Sequence, residues 1–382
     1  MEKRKLGWVI LICGVVSFEI AVLLQSYRQE EEQLPKMAIA FQDTDLISHQ
    51  RNSSFMSRYS PTDGVIILTY VRSGSSLVGQ LFNQNPNAVY FYEPLRWIKE
   101  SLEQPSIYTY SNNTQRKISG THSQREKDFI YADVIKKLIT CEVHDVPSTV
   151  TLLKKYNVYN LLTLNQQKAL KDYENCAYIR VRGKQPNCMT KMKNVCDNST
   201  LKVMKLVRLS MNAVEPILTQ LPNVKVIHLL RDPRASLLSK KKAALFKCNL
   251  DCEVDQRCNK QLLPDITHGK VLEAKYPGRI MQIKYEDLAA KPLYWSTKIY
   301  SFIGQKLPPV VEHWIHRATS SSEENGTYGT KRQNSSKTAH KWETEIGFEM
   351  AEKVDVVCKT VLDLLGYEPY LDIYNKNKRS NV

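Results

Sequence analysis

The sequence lacks several patterns that would assign it to a common functional class. It has no zinc-finger, RRM or helix-turn-helix pattern and no low-complexity basic tail, so its formal net charge of +15 does not indicate nucleic acid. A G-x-x-x-x-G-K-[ST] motif is absent, which argues against an ATPase or a kinase. No internal repeat is present. The basic surplus therefore predicts an anionic partner without specifying its kind.

The first residues of the chain predict its compartment. Lys3, Arg4 and Lys5 precede an apolar stretch at residues 6–24, which is about the length that crosses a bilayer core. By the positive-inside rule we expect a cytosolic tail at residues 1–5, a transmembrane signal anchor at residues 6–24 and a lumenal remainder. A cleaved signal peptide is the alternative, although no A-x-A cleavage site follows the stretch. Both interpretations place the bulk of the chain in the secretory pathway.

Sequons and cysteines agree with a lumenal location. The Asn-x-Ser/Thr sequons begin at Asn52, Asn112, Asn198, Asn325 and Asn334. Cys13 lies in the predicted anchor, and the other cysteines are an even number that disulfides could use in an oxidising compartment. A metal cluster is the alternative for four residues, but their spacing lacks the paired C-x2-C of a zinc site. They are Cys248, Cys252, Cys258 and His268. We therefore predict disulfides and no bound metal.

Composition divides the remaining chain into a polar linker and one folded domain. Residues 25–60 are rich in Gln, Glu, Ser and Asn without periodicity, so we predict a flexible lumenal stem. The folded domain is predicted at residues 61–375. Its buried-strand candidates alternate with helical stretches and occur at residues 65–70, 88–92, 201–209, 224–230 and 279–285. This alternation predicts an α/β domain whose central parallel sheet is covered by helices on both faces.

Two other parts of the domain have recognisable patterns. Residues 101–175 are polar, with helical stretches at 126–139 and 165–174 but no strong strand, so we interpret them as an inserted lid or acceptor-binding segment. Apolar residues recur at helical spacing from 346 to 364, and Gly366 follows as a C-terminal cap. We predict one amphipathic helix there, packed on the core.

A strand-to-helix turn has the features of an anion-binding loop. The predicted strand at residues 65–70 runs into a short turn rich in glycine and serine, and a helix follows from Leu77. Backbone N–H groups and the helix N-terminus converge at such a turn, where an anion is stabilised. Arg72 adds a cation just before Gly74. The alternative is an ordinary turn without a ligand.

A second strand-to-helix junction predicts another anion site. The strand at residues 224–230 is followed by Asp232, a good N-cap, and by Pro233, a good first helical residue. Arg231 then lies at the carboxyl end of the strand, and Ser239 lies about two turns along the helix. Both side chains could reach a phosphate in the crevice at this edge of the sheet. The alternative makes the arginines of this segment solvated surface charges.

With three further segments, these loops resemble the sulfotransferase family. The matching stretches are Tyr-Val-Arg-Ser-Gly-Ser-Ser at residues 70–76, Phe-Tyr-Glu-Pro-Leu at 91–95, Leu-Arg-Asp-Pro-Arg-Ala-Ser at 230–236, Lys-Tyr-Glu-Asp-Leu-Ala at 284–289 and Thr-Ala-His-Lys-Trp at 338–342. Their order and spacing are specific. They resemble more closely the Golgi carbohydrate branch, which sulfates the 6-hydroxyl of galactose, N-acetylgalactosamine or N-acetylglucosamine.

This resemblance implies a three-layer, P-loop-NTPase-like α/β fold and the donor 3′-phosphoadenosine 5′-phosphosulfate (PAPS). The family's first loop binds the 5′-phosphosulfate, which here assigns that role to Arg72, Ser73, Gly74, Ser75 and Ser76. Arg231 and Ser239 would bind the 3′-phosphate, and Lys331, Arg332 and Ser336 match the late loop that closes over the nucleotide. The resemblance further implies a single-pass type II Golgi membrane protein that acts on a glycan or proteoglycan acceptor.

Sulfuryl transfer requires a cation at the leaving phosphate and a base at the acceptor hydroxyl. Arg72 fits the cationic role because a guanidinium stays charged and binds oxygens bidentately. Glu93 is the preferred general base, since it follows the strand at 88–92 and partial burial would raise its pKa. A purely structural carboxylate is the alternative. His122 and His340 are the fallback bases.

Other motif residues have more ordinary expected roles. Glu286 and Asp287 follow a strand and precede a helix, so we predict that they cap that helix, with a direct part in the chemistry as the alternative. The sequence departs from the family pattern at Arg96, which is interposed before an aromatic residue, and at Glu343, where the family tends to have arginine.

Two other functions remain as alternatives. A lumenal carbohydrate-binding glycoprotein of the same fold without catalysis predicts the loss of the donor-binding arginines, but both are present. A phosphoryl-transfer enzyme predicts a Walker lysine and a metal-binding aspartate, and we identify neither.

Overall fold

The protein was analysed as a computed structural model, which describes residues 63–96, 98, 106–109, 115–118, 123–146, 188–319 and 333–380. All of them belong to one compact unit, Tyr59–Val382. The predicted anchor and stem, the helical stretch at 165–174, His122, Lys331 and Arg332 lie outside the described residues. Within the described ranges, no helix has the length and apolar character needed to cross a membrane.

The strands are β1 (Gly64–Leu68), β2 (Ala88–Tyr92), β3 (Ser106–Thr109), β4 (Gln115–Ile118), β5 (Leu201–Leu206), β6 (Val224–Leu230) and β7 (Ile280–Lys284). Five of them form a sheet in the order β2-β5-β1-β6-β7, and every pairing in it is parallel. β3 and β4 form a separate antiparallel pair. The predicted central parallel sheet is confirmed, and β1 lies at its centre.

The helices in the described ranges are α1 (Ser75–Asn83), α2 (Gln124–Ile139), α3 (Cys188–Asn198), α4 (Val214–Gln220), α5 (Pro233–Lys242), α6 (Leu250–Arg257), α7 (Leu263–Lys275), α8 (Tyr285–Ala290), α9 (Pro292–Phe302), α10 (Pro309–Thr319), α11 (Ser335–His340), α12 (Trp342–Glu345), α13 (Phe348–Val357), α14 (Lys359–Leu365) and α15 (Tyr370–Ser380). A π-helical turn, Cys258–Leu262, joins α6 to α7.

Helices cover both faces of the sheet because its strands are apolar on both sides. Along β1, Ile66 and Leu68 pack in one core cluster, whereas Val65 and Ile67 pack in another. Successive strand residues point to opposite faces, so each cluster lies on one side of the sheet. The first cluster includes residues of α2, α4, α5 and α7, and the second includes residues of α1, α8, α9 and α10.

The predicted strand boundaries are correct for β2 and β6 and too long elsewhere. β1 and β7 each end before the predicted last residue because the chain turns into a loop or a helix there. β5 ends at Leu206, and the chain then bends toward the short 3-10 helix Met211–Ala213. Apolar residues that continue beyond these strands pack in loops, so an apolar run alone overestimates strand length.

Of the two interpretations of residues 101–175, an inserted lid is wrong for α2, and an acceptor-binding segment stays a prediction. This helix begins with a capping box between Ser123 and Glu126, and Tyr131, Ile135 and Leu138 on its inner face are buried. Their spacing places them on one side of a helix, which packs on the sheet as part of the core. The hairpin of β3 and β4 was also not predicted, because its strands are only four residues long.

The predicted helix at 346–364 is two helices. α13 ends before Cys358, which is buried and forms a disulfide with Cys258 of the π-helical turn. α14 then begins at Lys359, and Leu364 of the predicted apolar stripe is 41% exposed. Gly366 adopts the left-handed conformation at φ 65°, as expected of a C-terminal cap.

Disulfides use the cysteines that had an alternative interpretation as metal ligands. Cys248 bonds Cys252, Cys258 bonds Cys358, and a further disulfide joins Cys141 to Cys196. Within the ranges given above, no group of histidine, cysteine and carboxylate side chains is arranged to hold a metal ion.

Candidate active site

The first predicted anion loop lies between β1 and α1, at the centre of the sheet. Gly74 precedes α1 in the left-handed conformation, with φ 78°. A Cβ added to Gly74 would lie 2.1 Å from the Tyr285 ring, so only glycine fits there. Arg72 also has a positive φ, 69°, and the Ser73 N–H donates to the Tyr70 carbonyl. These contacts shape residues 70–74 into a tight turn.

The N-terminus of α1 gives this turn its affinity for anions. The first N–H groups of a helix, here those of Ser75 and Ser76, have no intrahelical acceptor, and the helix dipole is positive at this end. Ser73 is 2% exposed and Ser75 is 7% exposed, so the turn is partly shielded from water. An anion in this position would meet N–H groups, hydroxyls and the neighbouring Arg72.

The second predicted anion site follows β6, the strand beside β1. The Asp232 side chain caps α5 by accepting a hydrogen bond from the Arg234 N–H at 2.8 Å, and Pro233 is the first residue of the helix. Both features match the prediction. Arg231 is the first residue after β6, and Ser239 lies on α5.

The two segments meet. The Nε of Arg72 donates to the Ser239 hydroxyl at 2.9 Å. One terminal nitrogen of Arg231 donates to the Arg72 carbonyl at 3.0 Å, and its guanidinium lies 4.6 Å from the centre of the Tyr285 ring. The Nε of Arg231 is buried and has no hydrogen-bond partner in the part of the chain that the structure describes. The predicted anion sites therefore lie side by side, at the carboxyl edge of adjacent parallel strands.

Arg234 is not a solvated charge, contrary to the alternative considered for this segment. Its side chain is fully buried and forms ion pairs with Asp232 at 2.8 Å and with Asp355 of α13 at 2.9 Å. Its guanidinium also lies 4.8 Å from the centre of the Trp342 ring. Arg234 therefore attaches the second anion site to the C-terminal helices.

The predicted helix-capping role of Glu286 and Asp287 is wrong. α8 begins at Tyr285, and its N-cap position, Lys284, makes no side-chain capping bond. Glu286 instead accepts hydrogen bonds from the Asp232 N–H at 3.1 Å and from the Tyr367 hydroxyl at 2.8 Å. Burial and the nearby Asp232 charge raise the pKa of Glu286. Because the helix starts earlier than predicted, Glu286 faces the second anion site.

Glu93 lies at the end of β2, as predicted, but its environment differs from the expected one. Its carboxylate forms ion pairs with Lys205 at 3.0 Å and with Arg208 at 2.6 Å. Burial tends to raise the pKa of Glu93, but the charges of Lys205 and Arg208 outweigh it and lower this pKa. The expected rise is wrong because two cations, and not an apolar pocket, surround the carboxylate.

Lys205 and Arg208 were missed by sequence reasoning. Lys205 is 2% exposed in the middle of the domain, and its ammonium lies 3.6 Å from the centre of the Tyr92 ring. A lysine among the apolar residues of a predicted buried strand, β5, is the signal that could have identified it, since lysine is rarely buried without a partner.

Of the two fallback bases, only His340 lies in the described part of the chain. Its Nδ1 is 2.6 Å from a carboxylate oxygen of Glu343, the residue where the family pattern tends to have arginine. That hydrogen bond raises the pKa of His340, which favours the protonated form. Ser336 lies on α11, next to Ser335, whose hydroxyl donates to the Ala289 carbonyl of α8.

The chain is similar in sequence to known proteins over most of its length. A family model described as the sulfotransferase domain matches residues 62–366. Carbohydrate sulfotransferase 3 of Homo sapiens is 26% identical over 351 residues, which cover 84% of this chain and 70% of that protein. Carbohydrate sulfotransferase 6 of Homo sapiens is 27% identical over 353 residues, covering 83% of each. Among solved structures, the sulfotransferase domain of the Synechococcus PCC 7002 olefin synthase has a TM-score of 0.46 at 15% identity, covering 84% of this chain and 99% of that chain.

The matched range begins just before β1 and ends at Gly366, after α14. It therefore contains both predicted anion sites, Glu93 and Ser336 of the predicted late loop. The resemblance inferred from the five motifs is thereby confirmed at the level of the family. The chain belongs to the sulfotransferase domain family.

Proposed function

We propose that the protein transfers a sulfuryl group from PAPS to a hydroxyl of a sugar chain. The observation that carries this proposal is the contact between the two anion-binding segments, in which Arg72 donates to Ser239 and Arg231 donates to the Arg72 carbonyl. A nucleotide with phosphates on both its 3′ and 5′ positions requires two such sites within one cleft. A nucleoside triphosphate such as ATP does not require two such sites.

The side chains present fit this donor. Residues 72–76 would hold the 5′-phosphosulfate with hydroxyls, N–H groups and the Arg72 guanidinium. Arg231 and Ser239 would hold the 3′-phosphate. The buried Nε of Arg231, which has no acceptor among the described residues, is a donor that an anion would satisfy. Lys331 and Arg332 are proposed to close over the nucleotide.

The proposed chemistry depends on position and charge. A bond forms between the acceptor oxygen and sulfur while the bond between sulfur and the bridging oxygen of the donor breaks, and Arg72 stabilises the charge that develops on the leaving phosphate. Glu93 would accept the proton of the acceptor hydroxyl. Its lowered pKa keeps it ionised and ready to accept a proton, although it makes Glu93 a weaker base than one near neutral pKa.

We further propose that the acceptor is a glycan or proteoglycan chain, sulfated at the 6-hydroxyl of galactose, N-acetylgalactosamine or N-acetylglucosamine, in the Golgi lumen. The names of the relatives given above support a carbohydrate acceptor. Disulfides support an oxidising compartment, and the sequon residues Asn198 and Asn334 are exposed. The anchor at residues 6–24 would hold the domain at the membrane.

Two measurements test the proposal. Calorimetry of the purified full chain should show binding of 3′-phosphoadenosine 5′-phosphate without Mg²⁺ and no comparable binding of ATP. Preference for ATP with Mg²⁺ would instead support phosphoryl transfer. Incubation with radiolabelled PAPS and a panel of desulfated glycans should label a subset of them. Nucleotide binding without transfer to any glycan would support the non-catalytic alternative.

A further inference from the structure

Arg257, a buried arginine outside the five motifs, contacts the first predicted anion loop. Arg257 is the last residue of α6 and is 4% exposed. It donates to the Val71 carbonyl at 2.9 Å, and its guanidinium lies 5.6 Å from the centre of the Tyr70 ring. Burial lowers the pKa of Arg257 to about 10, so it remains charged at neutral pH.

The charge of Arg257 is incompletely compensated within the described residues. No carboxylate there lies within ion-pair distance of it. Glu253 acts on its charge from beyond that distance and is itself paired with Lys240, and one terminal nitrogen of Arg257 is buried without an acceptor. A buried guanidinium normally has an ionised partner, because an uncompensated buried charge costs several kcal/mol. An anion in the adjacent loop would provide the missing negative charge.

Arg257 and Arg231 act on consecutive carbonyls of the loop. Arg257 donates to the Val71 carbonyl, and Arg231 donates to the Arg72 carbonyl. A carbonyl oxygen carries partial negative charge, so a free carbonyl beside an anion site would repel the anion. Each guanidinium offsets this repulsion and keeps its peptide group in one orientation.

The scaffold around Arg257 fixes its position. Cys258, the next residue, begins the π-helical turn and is cross-linked to Cys358. The neighbouring Tyr70 is held from the other side, where its hydroxyl donates to Asp265 at 2.8 Å and contacts the His228 ring at 2.9 Å. The start of the loop, at Tyr70 and Val71, is therefore held by contacts with elements that are distant in sequence.

We propose that Arg257 is a positioning residue for the donor's 5′-phosphosulfate: it holds the Val71 carbonyl and adds a buried positive charge beneath the loop at residues 71–76. This inference rests on the proposed function, since it takes the nucleotide to be the anionic ligand. Arg257 acts through the loop and is not required for the 3′-phosphate, which belongs to Arg231 and Ser239.

The test compares three ligands by calorimetry: 3′-phosphoadenosine 5′-phosphate, adenosine 5′-phosphate and adenosine 3′-phosphate. Arg257→Met should lower the affinity for the first two ligands by the same factor, roughly tenfold or more, because a hydrogen bond from a charged group is lost together with the charge. Its affinity for adenosine 3′-phosphate should equal that of the wild type. Ser239→Ala should lower the affinity for adenosine 3′-phosphate more than the affinity for adenosine 5′-phosphate, which it affects only through the lost contact with Arg72.

Arg279→Met is the matched control. Arg279 also donates to backbone carbonyls, those of Val224 at 3.0 Å and Leu218 at 2.7 Å, but it precedes β7, at the opposite edge of the sheet from the loop. The variant Arg279→Met should lower the urea concentration at the midpoint of unfolding without changing the affinity for any of the three nucleotides. Arg257→Lys retains the charge and should recover part of the affinity lost in Arg257→Met; if the methionine variant does not fold, the lysine variant is compared with the wild type on the same ligands.

The outcomes separate this inference from the function on which it rests. Wild-type affinity of the Arg257 variants for adenosine 5′-phosphate overturns the positioning role, and so does an equal loss of affinity for all three ligands. If the wild type itself binds none of the three, the proposed function fails, and the role of Arg257 fails with it.

Discussion

Arg72 and Ser239 are 167 residues apart in the chain, yet the Nε of the arginine donates to the hydroxyl of the serine at 2.9 Å. The arginine comes from the loop after β1 and the serine from the helix after β6, and these two strands are neighbours in the sheet. The side chain that would hold the 5′-phosphosulfate is therefore in contact with one that would hold the 3′-phosphate.

Replacement of Arg72 by alanine should abolish turnover and leave the protein folded. We expect sulfuryl transfer to fall by about a thousandfold or more, because a cation at developing charge is lost. Stability should change little, since arginine and alanine are both disfavoured at φ 69°. Transfer assays and urea unfolding check this, with Arg317→Ala, an exposed position on α10, as the control. Ordinary activity of Arg72→Ala would contradict the assignment.

Replacement of Gly74 by alanine should be more damaging than the same change at Gly278. Both glycines have positive φ, 78° and 72°, so both variants carry backbone strain of about 1 kcal/mol. At Gly278 nothing lies within 4 Å of the new Cβ, whereas at Gly74 the Tyr285 ring is 2.1 Å away. Moving that ring should bring the cost at Gly74 to roughly 3 kcal/mol.

Urea unfolding of both variants measures the difference in stability, and calorimetry with 3′-phosphoadenosine 5′-phosphate measures its effect on the site. Gly74→Ala should also weaken nucleotide binding, because Tyr285 packs against Arg231. Equal losses of stability in the two variants would show that the close approach of Tyr285 does not matter.

Local sequence determined those features that depend on neighbouring residues. β2 and β6 are mainly apolar segments bounded by polar residues, so their limits were predictable, and Asp232 followed by Pro233 specified the start of α5. The two anion sites could be paired because parallel strands end at a common edge. That inference used chain topology and required no knowledge of individual contacts.

Features that depend on distant partners were not predictable in this way. The pKa of Glu93 falls because Lys205 on β5 and Arg208 just after that strand pair with it, and nothing near Glu93 in the sequence indicates them. Similarly, the break between α13 and α14 coincides with the disulfide of Cys358 to Cys258, 100 residues away. A periodic apolar pattern continues through that break, so the pattern alone predicted one helix.

Replacement of Glu93 by glutamine should lower turnover by roughly a hundredfold or more, with nucleotide affinity intact, if Glu93 is the base. The variant should also unfold more easily, by about 3 kcal/mol, because Lys205 loses the ionised partner of a buried pair. Transfer rates, calorimetry and urea unfolding separate these effects. Nucleotide affinity serves as the internal control.

The double variant Glu93→Gln with Lys205→Met distinguishes a base from a counter-ion. It removes both charges of the buried pair, so stability should return toward that of the wild type in either case. If Glu93 only neutralises Lys205, turnover should return as well. Continued loss of turnover in the stable double variant supports the role of Glu93 as the base.

The two disulfides around the Arg257 helix should differ in their contributions to stability. Cys258 and Cys358 are separated by 100 residues, whereas Cys248 and Cys252 are separated by 4. In the chain-entropy account, closing the longer loop contributes roughly 5 kcal/mol and closing the shorter one about 2 kcal/mol. Urea unfolding of the two serine double variants, Cys258→Ser with Cys358→Ser and Cys248→Ser with Cys252→Ser, measures both. A larger loss for the short loop would argue against this account.

Two buried residues, His228 and Asp265, should make stability depend on pH in two opposing ways. Burial lowers the pKa of His228 to about 3, so below pH 6.5 the unfolded chain takes up a proton that the native state does not, and acidification destabilises the fold. Burial raises the pKa of Asp265 to about 6 from 3.8, so between pH 6 and 4 the native state holds a proton that the unfolded chain lacks. Acidification in that window therefore stabilises the fold.

These two effects nearly cancel between pH 6 and 4.5 in the wild type, and single variants should reveal each of them. Over that interval Asp265→Asn should lose about 2 kcal/mol more on acidification than the wild type, and His228→Gln should lose about 2 kcal/mol less, since each pH unit is worth ~1.4 kcal/mol per proton. The double variant should regain the wild-type dependence on pH, which controls for all other titrating groups. Urea unfolding at the two pH values measures this, and parallel curves for the wild type and both single variants would show that neither side chain has the shifted pKa on which the cancellation depends.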